Sequence, residues 1–130
     1  MTRLIAILTF LFLAPAAFAQ GLPAPSDWKN QRGSIMHVDF WNPITQQFFG
    51  SYTNNAPNYP HCNGKPYRMW GQSDGRKITF TVIWSGLFLE DCQSTTVWTG
   101  SVRGNRINTR WVLTRTNGQV YKGQDSFTRQ

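Results

Sequence analysis

Apolar and polar side chains alternate along eight short runs of the chain, and this period of two is typical of half-buried β-strands. Turn-forming residues separate the runs, and no window keeps a helical period. The runs are DWKN (27–30), SIMHVDFW (34–41), QFFGSYTN (47–54), PYRMWG (66–71), KITFTVIW (77–84), STTVWTGSV (94–102), RINTRWVLT (106–114) and QDSFTR (124–129). They predict an all-β fold, either a sandwich or an eight-stranded antiparallel up-and-down barrel. The barrel is favoured because closure removes exposed strand edges.

The alternation also predicts which side chains face the interior, since successive residues of a strand point to opposite sides of the sheet. In run 106–114, Trp111 is expected to face inward because the opposite face carries Arg110, which would be costly to bury. The inner positions predicted for this run and for run 77–84 are Phe80, Val82, Trp84, Ile107, Thr109, Trp111 and Leu113.

Run 94–102 places hydroxyl groups on its inner face. Trp98, its largest apolar side chain, is expected to point inward, and Ser94 and Thr96 share its parity. Hydroxyl groups inside a barrel must be hydrogen-bonded to other side chains, to water or to a ligand.

Residues 1–19 have the pattern of a secretory signal peptide. The apolar run LIAILTFLFLA follows an arginine and leads to the small-residue motif AFA, so cleavage is expected after Ala19. A transmembrane helix needs about 20 apolar residues, which makes a retained membrane anchor the less favoured alternative. The Pro-rich segment 20–27 is then an extended or disordered lead-in to a barrel domain at 28–130 of a secreted or periplasmic protein.

The chain has two cysteines, Cys62 and Cys92. In an exported protein they would meet an oxidising environment, so a disulfide between them is expected, with two free thiols as the alternative. Closing a loop of about thirty residues would stabilise a small barrel by roughly 3–4 kcal/mol in the chain-entropy model.

The formal net charge is +7, and removal of the signal peptide with its one arginine lowers it by one. Such a basic balance raises nucleic acid and anionic surfaces as partners. The lysines and arginines are scattered, however, with no cluster longer than two along the sequence. A solvated basic surface is therefore favoured, and neither nucleic acid nor a membrane is expected as a partner.

A mixture of short polar groups near strand ends and large flat side chains forms a candidate small-molecule pocket. A barrel of about eight strands can hold one small ligand. Each residue also has an ordinary alternative, because tryptophans fill cores, an asparagine can serve a turn, and a lone carboxylate can pair with a surface cation. The candidate pocket residues are Asn30, Ser34, Tyr52, Asn54, Trp84, Ser94, Thr96, Trp98, Trp111 and Asp125.

Patterns for catalysis and for metal binding are weak. His37 is expected to be an exposed strand residue, and His61 lies beside Cys62 in a Pro-rich loop. No motif surrounds a candidate nucleophile, and no group of ligands has metal-binding spacing. The sequence therefore favours a protein that is not an enzyme and that has neither a metal nor a cofactor.

Six motifs, taken in order, resemble those of the avidin and streptavidin family of biotin-binding proteins. They are DWKNQRGSIM, FFGSYTNNA, FTVIW, STTVWTG, INTRWVLT and GQDSFTR, and the resemblance extends from about Trp28 to Arg129. It implies an eight-stranded antiparallel barrel that binds biotin at one end, with high affinity and without turnover.

The resemblance also implies a role for each candidate pocket residue. The donors to the ureido oxygen of biotin would be Asn30, Ser34 and Tyr52. The acceptors for its two ureido N–H groups would be Asn54 and Asp125. The ligand tail would meet Thr96 at the thioether sulfur and Ser94 at the carboxylate. The walls around the bicyclic ring would be Trp84, Trp98 and Trp111.

Three departures separate this chain from the longer family members. Asn117 stands where tetrameric members carry a tryptophan that caps a neighbouring subunit's site. Asn54 stands where the best-known members have a hydroxyl residue, although its amide oxygen can keep the acceptor role. Cys62 and Cys92 are similar to those of the short dimeric bacterial avidins such as rhizavidin, where a bridge joins two loops beside the site. The resemblance thus implies a homodimer whose sites are complete within each chain.

Two other classes of function remain open from the sequence. A secreted carbohydrate-binding or inhibitor barrel is possible, since tryptophan walls with Asn and Asp also suit sugars. A structural β domain is the third reading, in which the inner hydroxyls would satisfy one another.

Overall fold

The computed structural model describes residues 21–57, 62–85 and 92–130. Each strand pairs antiparallel with the next one, and the last strand pairs with the first, so the sheet closes into a barrel. The predicted barrel is confirmed and the sandwich is excluded. The strands are β1 (Ser26–Asn30), β2 (Ile35–Trp41), β3 (Gln47–Thr53), β4 (Pro66–Ser73), β5 (Lys77–Ile83), β6 (Ser94–Arg103), β7 (Arg106–Arg115) and β8 (Val120–Arg129).

Burial follows the predicted alternation. Phe80 and Val82 are buried. Ile83, which lies between Val82 and Trp84 in the sequence, is 44% exposed on the outer wall. Trp98 is buried, and Ser94 and Thr96 are buried with it. The centre of the barrel is filled by Trp28, Met36, Val38, Phe48, Met69, Ile78, Phe80, Ile107 and Phe127.

The last strand begins earlier than the alternation predicts, at Val120 rather than at Gln124. Its first residues pair with the end of β7, and Val120 lies opposite Thr114. Val120 and Tyr121 are both exposed, so this part of the strand has no period of two to reveal it. β8 is therefore extended by backbone pairing with the long strand β7 and not by burial of its side chains.

The two ends of the barrel differ. In an up-and-down barrel alternate connections lie at the same end, and we call the end with the β2–β3, β4–β5 and β6–β7 turns the closed end. Leu22 is buried in the core just before β1 begins at that end, and Gly21 lies against the Trp41 ring. The hydroxyl of Ser26 donates to the Pro23 carbonyl at 2.6 Å. The segment before β1 therefore packs on the closed end, and the opposite end, which we call the open end, is left for a cavity.

His37 lies on the outer wall of β2, on the far side of the sheet from the interior. Its Nδ1 is 2.5 Å from Asp27 Oδ1 and its Nε2 is 2.8 Å from Asp39 Oδ1. The hydrogen bond with Asp27 raises the pKa of His37 above its ordinary value. His37 is thus a surface strand residue engaged with two carboxylates, while His61 lies outside the described residues.

The described residues include no helix that is long and apolar enough to cross a membrane.

Candidate ligand-binding site

One cavity at the open end brings together all ten residues predicted for the pocket. They come from seven of the eight strands or from the residues just beyond them, and they lie as far apart in sequence as Asn30 and Asp125. The same cavity is also lined by Arg32, Ala56, Cys62, Cys92 and Leu113.

The turn between β1 and β2 fixes the orientation of Asn30. The side-chain oxygen of Asn30 accepts hydrogen bonds from the backbone N–H groups of Arg32, at 3.0 Å, and Ser34, at 2.9 Å. Its amide nitrogen must then point away from the turn, and it lies 3.3 Å from the Tyr52 hydroxyl inside the barrel. Asn30 therefore serves its turn and presents a donor to the cavity at the same time.

Ser34 and Asn54 join the β1–β2 turn to the connection between β3 and β4. The Ser34 hydroxyl accepts from the Asn55 backbone N–H at 3.0 Å and donates to the Asn54 side-chain oxygen at 3.1 Å. That oxygen also accepts from the backbone N–H of Ala56 at 3.2 Å. The Ser34 hydroxyl proton is the movable member of this network, because a hydroxyl rotates whereas the backbone donors do not.

Tyr52 is packed among aromatic rings below these groups. Its ring centroid lies 4.8 Å from that of Trp98 and 5.6 Å from that of Trp84. Burial raises the pKa of Tyr52, and the nearby negative charge of Asp125 raises it further. The phenol therefore stays protonated at neutral pH and is available as a hydrogen-bond donor.

Asp125 faces this group of donors from β8 and is only 7% exposed. Its Oδ2 accepts from the indole N–H of Trp98 at 2.9 Å, and its Oδ1 accepts from the Gln31 amide at 3.1 Å. The other end of the Gln31 side chain accepts from the Ser126 backbone N–H at 2.9 Å. Gln31 thus holds the Asp125 carboxylate in place from the turn that follows β1, the strand paired with β8.

Trp84 and the hydroxyls of β6 form another wall. Trp84 lies just beyond β5, but its backbone N–H donates to the Ser94 carbonyl at 2.8 Å and continues the ladder. Its indole N–H donates to the Thr96 hydroxyl at 2.8 Å. The Ser94 hydroxyl is buried and has no hydrogen-bond partner among the residues that the structure describes. Burying such a group without a partner costs about 1–3 kcal/mol.

Trp111 closes the remaining side and is only partly buried. It lies across Gly123 of β8, where a Cβ atom would overlap its indole ring. The guanidinium of Arg32 lies over the ring, 5.9 Å from its centroid. A glycine is therefore needed opposite Trp111 to let this wall lie flat against the neighbouring strand.

A disulfide joins Cys62 to Cys92, with the two Cα atoms 5.7 Å apart, so the predicted bridge is confirmed and the free-thiol alternative is wrong. The bridge lines the cavity. Cys62 and Gln93 both adopt the left-handed backbone region, with φ of 54° and 46°. This conformation costs roughly 1–2 kcal/mol for a residue that is not glycine. The bridge and its flanking hydrogen bonds hold these two residues in place, including one from Gln93 N–H to the Trp84 carbonyl at 3.0 Å.

The predicted pocket residues did not include Leu113, Gln31 or Arg32, which also contribute to the site. Leu113 shares the inner parity of Trp111, so the alternation alone could have included it. Gln31 and Arg32 lie in a turn, where no period applies, and their contacts are with Asp125 and Trp111, which are distant in the sequence. Nothing in the local sequence pointed to those contacts.

Comparison with known proteins places the chain in a family. The Avidin family model matches residues 19–130. Afifavidin of Afifella pfennigii is 37% identical over an alignment of 123 residues that covers 87% of this chain and 74% of afifavidin. The crystal structure of apo shwanavidin matches with a TM-score of 0.77 at 34% identity, covering 85% of this chain and 98% of that one. A rhizavidin–biotin complex matches with a TM-score of 0.74 at 33% identity, covering 83% and 92%.

The family model covers most of the chain, the related sequences are more than 30% identical, and the eight-stranded barrel matches the solved avidin structures. The resemblance noted in the sequence is confirmed: this chain belongs to the avidin family.

Proposed function

We propose that this chain binds biotin in the cavity at the open end and does not turn it over. The observation that carries the proposal is the pattern of donors and acceptors at the bottom of the cavity. Asn30, Ser34 and Tyr52 offer donors on one side, and the carboxylate of Asp125 offers an acceptor on the other. A cyclic urea has one carbonyl oxygen between two N–H groups, so it is complementary to this pattern.

The donors are suited to polarising a carbonyl oxygen. The amide hydrogens of Asn30 are directed inward because its oxygen is already used by the turn. Tyr52 remains protonated because it is buried. Three convergent donors would draw negative charge onto the ureido oxygen, and hydrogen bonds strengthen as the acceptor gains charge.

Binding would require one rearrangement of hydrogen bonds. The Ser34 hydroxyl donates to the Asn54 oxygen in the structure. With biotin bound, its proton would turn to the ureido oxygen, and the Asn54 oxygen would accept one ureido N–H in exchange. No buried polar group is then left unpaired, so the exchange loses little free energy. Asn54 would in this way perform the role that a hydroxyl residue has in other members.

The rest of the ligand would lie along β6 between aromatic walls. The Ser94 hydroxyl, which has no partner among the described residues, would donate to the ligand carboxylate. Thr96 would contact the thioether sulfur. The bicyclic ring would pack against Trp84, Trp98 and Trp111, all of which line the cavity.

The same observations weigh against the alternatives. In a purely structural barrel the inner hydroxyls would form hydrogen bonds with one another. The Ser94 hydroxyl has no such partner among the described residues. A sugar carries hydroxyls on several sides, whereas the donors here converge on one point. His37 faces the outer wall, so it cannot serve as a general base in the cavity, which favours binding without catalysis.

We also propose that the bridge between Cys62 and Cys92 orders the cavity rim before the ligand arrives. The ends of the β3–β4 connection are already tied together, since Gly64 N–H donates to the Asn54 carbonyl at 2.8 Å. Asn55 donates hydrogen bonds to the Gly33 carbonyl and to the Ser34 hydroxyl in the β1–β2 turn. A rim fixed in advance loses less conformational entropy on binding, which favours slow release.

Export and assembly belong to the same proposal. A signal peptide at residues 1–19, outside the described residues, would deliver the chain to a secreted or periplasmic location.

A homodimer is supported by apolar side chains on the outer wall, where Val97 lies opposite Val112 and both are exposed. Asn117 lies in the turn after β7, so no tryptophan there could cap a neighbour's site. Each chain would bind its own biotin.

Titration with biotin tests the central proposal. We expect the tryptophan fluorescence of the chain from Gln20 onward to change and to saturate at one biotin per chain, because three tryptophans line the cavity. A panel of monosaccharides should produce no saturable change. Saturation by a saccharide, with no response to biotin, would support the carbohydrate-binding alternative instead.

Replacement of Gln31 tests whether it positions Asp125. Hydrogen bonds to charged groups contribute about 1.5–3 kcal/mol, so Gln31→Ala should weaken biotin binding tenfold or more. Gln124→Ala is the matched control, because the Gln124 side chain is exposed on the outer wall and should leave affinity unchanged.

The double variant separates positioning from direct contact. If Gln31 acts through Asp125, Gln31→Ala/Asp125→Ala should bind biotin no more weakly than Asp125→Ala alone. Fully additive losses, measured by calorimetry, would show that Gln31 acts independently of the carboxylate.

Removal of the bridge tests the pre-ordering of the rim. Ordering even one or two residues costs on the order of 1 kcal/mol each, so Cys62→Ser/Cys92→Ser should release biotin about tenfold faster or more. Ile107→Val is the control, since it weakens the core toward the closed end by about 0.5–1.5 kcal/mol and leaves the rim intact. An unchanged release rate in the serine variant would contradict the idea.

Sedimentation equilibrium tests the assembly. We expect a mass of two chains, and Val97→Lys/Val112→Lys should shift it to one chain, because charges on the outer wall would be buried against each other. The monomer should still bind one biotin, since the site is complete within a chain. A persistent dimer would place the interface elsewhere.

A further inference from the structure

Five cations that are distant in sequence lie together at the closed end of the barrel. Two of them stand where β5 begins, two flank the turn between β6 and β7, and one ends β8. All five side chains are exposed. We call this set the basic rim, and its members are Arg76, Lys77, Arg103, Arg106 and Arg129.

Backbone pairing makes the basic rim continuous. The N–H of Val102, next to Arg103, donates to the Arg76 carbonyl at 2.7 Å. Arg103 and Arg106 lie directly opposite each other, and Arg129 N–H donates to the Asn105 carbonyl at 2.9 Å. Because neighbouring strands are about 4.8 Å apart, the rim extends about 15 Å across four strands.

No side chain of the basic rim forms an ion pair within the described part of the chain. The ion pairs found there involve His37 alone, on the opposite wall. Asp74 is the carboxylate nearest in sequence, and its Oδ1 accepts from the backbone N–H groups of Arg76 and Lys77. Like charges directly opposite on neighbouring strands destabilise a sheet. The fold therefore tolerates repulsion that an external anion would relieve.

An apolar component lies at the same end. Ile44, at the tip of the β2–β3 turn, is 90% exposed, and that turn touches the base of β4 because Ser73 N–H donates to the Gln46 carbonyl at 2.9 Å. Just above it on the outer wall, three exposed aromatic residues lie side by side on adjacent strands. These are Phe40, Phe49 and Trp70.

We propose that the closed end docks onto the surface of an anionic phospholipid bilayer. The basic rim would contact lipid phosphates, and Ile44 would enter the headgroup region. Binding to a membrane surface is strengthened by electrostatic attraction to anionic lipids and by the apolar area that is buried among the headgroups. Arginine suits phosphate because its planar guanidinium forms paired hydrogen bonds.

A bilayer fits this end better than nucleic acid does. The exposed Ile44 at this end suits the headgroup region of a bilayer and has no role beside a phosphodiester backbone. Docking through the closed end would also leave the open end and its cavity facing away from the membrane. The scatter of cations along the sequence suggested no membrane partner, and the closure of the barrel gathers five of them.

Vesicle co-sedimentation tests the proposal with the chain from Gln20 onward. Binding should require phosphatidylglycerol in phosphatidylcholine vesicles and should weaken as salt is added. Each cation near an anionic surface contributes about 1 kcal/mol, so Arg103→Gln/Arg106→Gln should bind roughly thirtyfold more weakly. Ile44→Ser should also weaken binding but leave the salt dependence unchanged.

The matched control removes two cations from the opposite end. Arg115→Gln/Lys122→Gln lowers the net charge equally and should change vesicle binding less than threefold. Biotin stoichiometry, measured on every variant, verifies folding independently of lipid. The proposal would be overturned if both double variants lost vesicle binding equally, or if the protein bound neutral vesicles equally well. It would also be overturned if Arg103→Gln/Arg106→Gln lost binding to duplex DNA but kept its binding to vesicles.

Discussion

The pairing of β1 with β8 is the interaction on which the candidate site depends. It closes the barrel by placing Asn30 opposite Phe127, two residues beyond Asp125. The donors of the first turn and the carboxylate of the last strand come to face each other only through this contact. Gln31 spans the same seam, since it holds both Asp125 and the Ser126 backbone. A sheet with the same eight strands left open would separate the two halves of the site.

The interior shows how a small barrel tolerates polar groups. Most inner polar atoms at the open end are committed to the protein: the Asn30 oxygen to its turn, the Thr96 hydroxyl to Trp84, and the Asp125 carboxylate to Trp98. These commitments fix the direction of the remaining donors, so little reorganisation is left for a ligand to drive. Ser34 can redirect its proton, and the buried Ser94 hydroxyl can gain a partner. Such preorganisation favours tight binding because ordering costs are met during folding.

The two ends of the barrel perform different tasks with the same connectivity. At the open end, the disulfide and the hydrogen bonds between the β1–β2 turn and the β3–β4 connection hold a rim around the cavity. At the closed end Leu22 is buried in the core, and the cations are exposed. A barrel built in this way can offer a ligand site at one end and a charged surface at the other without either disturbing the core.

The sequence by itself determined the strands and their faces. A period of two is local, so it assigned Phe80, Val82, Trp98 and Trp111 to the interior before any fold was known. Short polar groups near strand ends, together with the inward tryptophans, then indicated ten of the residues that line the cavity. The tertiary structure decided what no period can encode. Gln31 and Arg32 lie in a turn, β8 begins where its partner strand requires, and the basic rim joins three chain segments. These features depend on which turns meet when the barrel closes, and such proximity arises from strand pairing across the whole chain rather than from the order of neighbouring residues.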